Sequence, residues 1–162
     1  PYKVQEWLSF VHPWRDPATQ GAHVQQSLVA IGSGGWWGTG VAYSKQKLFY
    51  LPMQHTDFIF SIIAEEAGFI GSVLIISAYI VFAAYGFRLA LRLRNPFVAY
   101  TTLGFVSCIM LQVLLNMLVA TGMVPMNGLG LPFVSFGGSS LLVLGCMLGF
   151  ITNAVHEQTH LI

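Results

Sequence analysis

The sequence predicts an all-α membrane protein in which three transmembrane helices follow a long extracytoplasmic loop. Three observations predict it. The 162 residues include only seven Lys or Arg and six Asp or Glu, whereas a soluble surface needs roughly a quarter to a third of its positions charged. Apolar residues make up 55% of the chain, and the charges that exist are segregated. Between Glu66 and Arg88 only Tyr79 and Tyr85 could ionise, and from Asn95 to Val155 there is no Asp, Glu, Lys, Arg or His. A charge at mid-bilayer costs at least ~2.5 kcal/mol, so gaps of this length are what lipid selects. Three segments, about 58–87, 97–120 and 133–155, reach the roughly 20 apolar residues that a membrane helix requires.

Residues 1–57 are too polar and too interrupted to span. Pro13, Pro17, Gly21 and Gly32-Ser33-Gly34-Gly35 punctuate them, and Gln25–Ile31 could form a short helix. All four tryptophans, Trp7, Trp14, Trp36 and Trp37, fall in this stretch, as expected of rings held at headgroup level. The reading is a loop lying on, or dipping into, the membrane surface.

The first span is uncharged from Ala67 to Phe87. The loop 88–96 then carries Arg88, Arg92 and Arg94, which places it in the cytoplasm by the positive-inside rule. Pro96 suits the first turn of the next helix. Alternation puts residues 1–57 outside and the tail His156–Ile162 in the cytoplasm. Lys3, Arg15, Lys45 and Lys47 oppose this, but they are spread over a long loop where charge counts for less. Gln112 and Asn116 share a face of the second span, a spacing that favours an interhelical hydrogen bond. The connection 121–132 contains Gly122, Pro125, Gly128, Gly130 and Pro132 and is too apolar for a solvated loop. A re-entrant or packed path is expected, because unpaired backbone must be buried in protein or line a wet cavity. Cys108 and Cys146 lie in apolar stretches and read as small buried hydrophobes before a disulfide. The chain opens at Pro1 with no signal peptide, which suggests a fragment or a processed piece.

The densest polar cluster sits where the first span begins: Gln54-His55-Thr56-Asp57, then Glu65-Glu66. Asp57 or Thr56 could simply cap the helix. Alternatively, Asp57 is a carboxylate fixed at the membrane boundary, able to act as a general base or to hold a divalent cation. Glu65 and Glu66 lie about 12–13 Å further along the helix. Two adjacent acids cannot both face lipid cheaply, so at least one should face a partner or a wet cavity. Lys45 and Lys47 share a face if their stretch is extended. They suit a pyrophosphate, or else snorkel to lipid headgroups. Ser139 and Ser140, in Gly137-Gly138-Ser139-Ser140, serve either close helix packing or a backbone lining the cavity. His12, His23 and His55 lack ligand spacing, and Asp16 reads as a turn residue. The glycines around Trp36 and Trp37 do not form a nucleotide loop. No basic run with interleaved aromatics points to nucleic acid.

Several motifs in order along nearly the whole chain resemble the SEDS family, that of FtsW, RodA and SpoVE. They are Pro13-Trp14-Arg15-Asp16-Pro17, Gln26–Gly32, Gln46-Lys47-Leu48-Phe49-Tyr50-Leu51-Pro52, His55–Phe60 and Ala64-Glu65-Glu66. Asn116, Gly122, Pro125, Gly128, Leu131-Pro132-Phe133, Ser135 and Gly137–Ser140 continue the pattern. The Pro-Trp-x-Asp-Pro and Gln-Lys-Leu-x-Tyr stretches look most like the division branch, FtsW and its sporulation relative.

The resemblance implies a polytopic bundle of roughly ten spans, of which this chain would hold the large outer loop and the last three. It implies a peptidoglycan glycosyltransferase in the bacterial cytoplasmic membrane, polymerising lipid II at the outer face. The implied partners are a class B penicillin-binding protein transpeptidase and other division proteins. The family's essential carboxylate falls on Asp57, with a divalent cation, Mg or Mn, as the cofactor to be considered and no organic cofactor. The charge developing on a departing pyrophosphate, not the resemblance itself, points to Lys45 and Lys47 as the groups that would stabilise it, and His55, Thr56, Glu65, Glu66, Ser139 and Ser140 are the candidates to line the site. Met53 replaces the family's usual acid after Leu-Pro, which weakens a metal role there, and Ala67 replaces a common leucine. Two other readings are a lipid II flippase and a scaffold that recruits the transpeptidase. The flippase would need ionisable groups through the bilayer depth, and the last two spans carry no acid or base.

Overall fold

A computed structural model describes residues 20–40, 59–125, 128–135 and 137–159. Among them the chain is entirely helical apart from turns and connections. Its helices are α1 (Gln20–Gly34), α2 (Ile59–Arg92), α3 (Pro96–Ala120) and α4 (Gly138–Thr159). By length and composition, α2 and α3 can cross a bilayer, while α4 carries a shorter apolar stretch, Gly138–Asn153.

Helices α2 and α3 form a hairpin. The expected first span ends at Phe87, but α2 runs on to Arg92, because Leu89-Ala90-Leu91 are strong helix formers with nothing to stop them. The stop comes at Asn95-Pro96. The Asn95 side chain accepts a hydrogen bond from the Phe97 N–H at 3.1 Å, and Pro96 occupies the first helical position, as expected. Side chains Thr102, Val106, Ile109, Val113, Asn116 and Ala120 are buried along α3. Their alternating spacing of three and four residues makes a single seam on a helix that is apolar all round. Phe97, Tyr100, Leu111 and Leu114 stand exposed, as a lipid-facing surface permits. Gly86 of α2 lies against Val106, where an added Cβ would come within 2.6 Å of the valine methyl, so the two backbones approach closely there.

Helix α1 is longer than the short helix expected over Gln25–Ile31. It crosses the first turns of α2 near the end of α3, pinned by a buried serine pair. Ser27 Oγ lies 2.6 Å from the Ala120 carbonyl oxygen and 2.5 Å from Ser61 Oγ. A carbonyl can only accept, so the one Ser27 proton goes to Ala120 and Ser61 donates to Ser27. Three helices are thereby fixed at one level.

The third span was expected to open at Phe133. Instead Leu131–Ser135 forms a turn, with Ser135 N–H donating to the Leu131 carbonyl at 2.9 Å, and α4 begins at Gly138. Phe133 has φ 66°, a left-handed conformation that no helix can continue through. Its ring stacks edge-on against Phe82 at 6.0 Å. Helix α4 meets α3 through Phe105 and Phe150, edge to face at 5.4 Å. Cys108 and Cys146 are unpaired thiols, but both are exposed on this chain and not buried as expected.

Candidate functional site

The described polar groups gather at two joints, both where irregular backbone enters the helix pair. At the first, α2 is broken at Gly68 (φ 67°, ψ −162°). In an unbroken helix the Phe69 and Ile70 N–H groups would bond to the carbonyls of Glu65 and Glu66. Here they turn to the loop that ends α1: Phe69 N–H donates to Gly35 at 2.9 Å and Ile70 N–H to Trp36 at 3.4 Å. The abandoned carbonyls of Glu65 and Glu66 accept from the Thr39 N–H at 2.9 Å and the Gly40 N–H at 3.2 Å. Thr39 Oγ1 also donates to the Glu65 carbonyl, at 3.1 Å. The loop is spliced into the helix, and the amides of Phe69 and Ile70 and the carbonyls of Glu65 and Glu66 all find partners in it.

The splice works because three residues lack a Cβ. At Gly34 one would collide with the Ala64 carbonyl, at Gly38 with the Glu66 carbonyl, and at Gly68 with the Gly38 nitrogen. The glycine-rich stretch that fits no nucleotide loop therefore has a structural use.

Glu65 is buried and Glu66 half-buried beside this joint, as expected for acids that avoid lipid. The length of α2 places the joint. From Ala67 to Phe87 the uncharged helix measures about 31 Å at about 1.5 Å per residue, one bilayer core of ~30 Å. Arg88 and Arg92 stand at one end of this stretch, and Gly68 and the glutamates at the other. Trp36 and Trp37 are there too, 71% and 84% exposed, with Trp36 packed edge-on to Phe69 at 5.3 Å.

The second joint is the connection to α4. Asn116 Nδ2 donates to the Leu129 carbonyl at 2.8 Å, and Gln112 Nε2 to the Gly130 carbonyl at 3.0 Å. The expected bond to another helix is thus made to the backbone of the connection. Two residues of that backbone are matched to two turns of α3, so the chain folds back along the helix, as its apolar composition suggested. Tyr79 Oη donates to the Pro132 carbonyl at 2.5 Å, and Leu131 is buried against Tyr79 and Val113.

Of the site residues expected from sequence, Asp57, Lys45, Lys47, His55 and Thr56 lie outside the described residues. Glu65 and Glu66 are at the first joint. Ser139 is exposed on the opening turn of α4, and Ser140 Oγ donates to the Gly137 carbonyl at 2.9 Å within the helix start. Sequence reasoning missed Thr39, Ser27, Ser61 and Tyr79. Their signal is weak, since a lone hydroxyl in an apolar run looks the same whether it is buried or not. Among the described residues no three His, Cys, Asp or Glu side chains group as metal ligands. They offer no cradle for a cation, and no chemical step is assigned to one.

Residues 1–160 match the family of cell cycle proteins FtsW, RodA and SpoVE. The chain belongs to this family. SEDS proteins are membrane proteins, and the two long apolar helices fit that setting. The SEDS chain is 42% identical over 153 residues to stage V sporulation protein E of Bacillus subtilis, covering 94% of this chain and 42% of that protein. It is 45% identical over 161 residues to a probable peptidoglycan glycosyltransferase FtsW of Halorhodospira halophila, covering 97% and 40%. Among solved structures it is similar to a chain of a peptidoglycan synthase complex described as coordinating polymerization and crosslinking. The TM-score is 0.75 at 34% identity, covering 98% of this chain and 42% of that one. The chain thus spans about two fifths of the length of these relatives. FtsW and the sporulation protein are the branch to which the Pro-Trp-x-Asp-Pro motif pointed.

Proposed function

We propose that this chain is the C-terminal part of a peptidoglycan glycosyltransferase that polymerises lipid II into glycan strands during bacterial division. The observation that carries the reading is the match of nearly the whole chain to a family whose members include probable peptidoglycan glycosyltransferases. In this reading α4 completes a third span, and the arginine-bearing turn between α2 and α3 faces the cytoplasm. The opposite end, with Gly68 and the glutamates, faces outward.

Asp57 is the proposed base. Its carboxylate takes the proton from the attacking sugar hydroxyl as that oxygen bonds to the anomeric carbon of the second sugar. The bond from that carbon to the polyprenyl pyrophosphate breaks, and Lys45 and Lys47 balance the charge growing on the departing phosphate. Glu65 and Glu66, on α2, are proposed to shape the floor of the site. A class B penicillin-binding protein is the proposed partner, in keeping with a structural neighbour that couples polymerization to crosslinking.

The test is lipid II polymerisation by the protein at the full length of its relatives, together with its transpeptidase. Wild type is compared with Asp57→Asn after both are shown to fold and to bind the partner equally. The expected outcome is loss of glycan product in the folded mutant, because asparagine keeps the shape and removes the base. Undiminished polymerisation by the mutant would return Asp57 to a helix cap. An inactive wild type would favour the flippase or the scaffold.

A further inference from the structure

The break in α2 has an unusual property. Each group that bonds to the loop has a second partner available within the helix itself. With the loop inserted, four backbone bonds join it to the helix: Thr39 to Glu65, Gly40 to Glu66, Phe69 to Gly35 and Ile70 to Trp36; the Thr39 hydroxyl adds a fifth, to the Glu65 carbonyl. If the loop withdrew, Phe69 and Ile70 could donate to Glu65 and Glu66, as in any continuous helix. The released groups are at no great loss. Gly35, Trp36 and Thr39 are exposed and Gly40 half-buried, at the end of α2 remote from its arginines, where water can take them. Nor does Gly68 hold the break by itself. Glycine reaches φ 67° without strain but adopts helical angles as well. The two arrangements exchange the partners of the Phe69 and Ile70 amides and of the Glu65 and Glu66 carbonyls.

We infer that the Gly34–Gly40 loop is an exchangeable splice, and that α2 alternates between a broken form holding the loop and a continuous form that releases it. The joint separates Ile59–Ala67 from Phe69–Arg92. Straightening it reorients the first two turns of α2, which carry Glu65 and Glu66. It also frees the end of α1, while Ser27 keeps the middle of α1 tied to Ser61 and Ala120. The movement is therefore a hinge of the loop, with α1 retained. This follows from backbone geometry alone and stands whether or not the protein polymerises lipid II.

Hydrogen exchange in the full-length protein, in lipid nanodiscs, tests it directly. The Thr39 and Gly40 amides are bonded only in the inserted form, whereas Phe69 and Ile70 are bonded in both. In wild type the peptide bearing Thr39 and Gly40 is expected to exchange faster than that bearing Phe69 and Ile70 by an order of magnitude or more. Equal protection of the two, whether both fast or both slow, would overturn the exchange.

Gly68→Ala sharpens the result. Alanine is disfavoured at φ 67°, and its Cβ would meet the Gly38 nitrogen, yet it is better than glycine in a continuous helix. The variant should remove protection from Thr39 and Gly40 while Phe69 and Ile70 stay slow. Loss of protection at all four would show a break with no helical alternative, and no change at any would show that the loop does not compete with the helix. Both would overturn the inference. Should the variant fail to fold, the wild-type comparison decides alone.

Discussion

The two joints solve one problem by opposite means. Irregular backbone cannot lie bare in a bilayer, because each unpaired amide or carbonyl costs several kcal/mol there. At the first joint the Gly34–Gly40 loop meets the helix backbone to backbone, and the condition is the absence of side chains at Gly34, Gly38 and Gly68. At the second, the segment from Leu129 to Ser135 is held by side chains that reach out to it, from Tyr79, Gln112 and Asn116. One joint is spoiled by adding atoms and the other by taking them away. The first can also exchange its partners within α2. The second cannot, because the donors of Tyr79, Gln112 and Asn116 belong to side chains that have no place in a helix ladder.

The largest effect should come from filling the first joint. Gly34→Ala puts a methyl group onto the Ala64 carbonyl, which belongs to the backbone of α2 and cannot turn aside. Overpacking of this kind costs about 3 kcal/mol with the loop inserted, and less to the extent that the released form relieves the clash. Reversible unfolding in mixed micelles should show it, and a loss below a third of that value would mean that the loop has room to shift.

Removing one donor at the second joint should cost less. Tyr79→Phe leaves the Pro132 carbonyl, in a buried turn, without its hydroxyl, at about 1–2 kcal/mol. The same unfolding measurement checks it. An unchanged midpoint would mean that another group takes over, and the contrast between the joints would weaken.

The smallest effect tests whether glycine matters equally at both. Gly128 has φ 69°, but an added Cβ there would meet nothing within 4 Å. Gly128→Ala should therefore cost only the left-handed conformation, about 1 kcal/mol. If it proved as damaging as Gly34→Ala, close backbone approach would not be what distinguishes the first joint.

Much of this architecture was legible in the residues. The hydropathy of α2 and α3, the Asn95-Pro96 start and the packed path of the connection to α4 are local matters of composition and capping. The family motifs also lie in the sequence, and with them the expectation for Asp57. The opening of α4 was misjudged by five residues, since Phe133 looks like any apolar residue until its backbone angle is known. At least one of the glutamates was expected to face protein or a wet cavity, and Glu65 is buried. What the pair sits beside was not legible, because its neighbours Thr39 and Gly40 come from a different part of the chain.

The sequence by itself determined that α2 and α3 are helical and can enter a bilayer, because lipid sorts residues by hydropathy and a helix satisfies its own backbone. It also set where α3 starts, through an asparagine cap and a proline. Only the tertiary structure decided which face of α3 is buried, since the helix is apolar on every side and its seam is defined by what packs on it. The tertiary structure alone also decided that α2 breaks at Gly68. Glycine permits that break without requiring it. The requirement comes from a loop some thirty residues earlier, whose amides and carbonyls take up the bonds that α2 gives up.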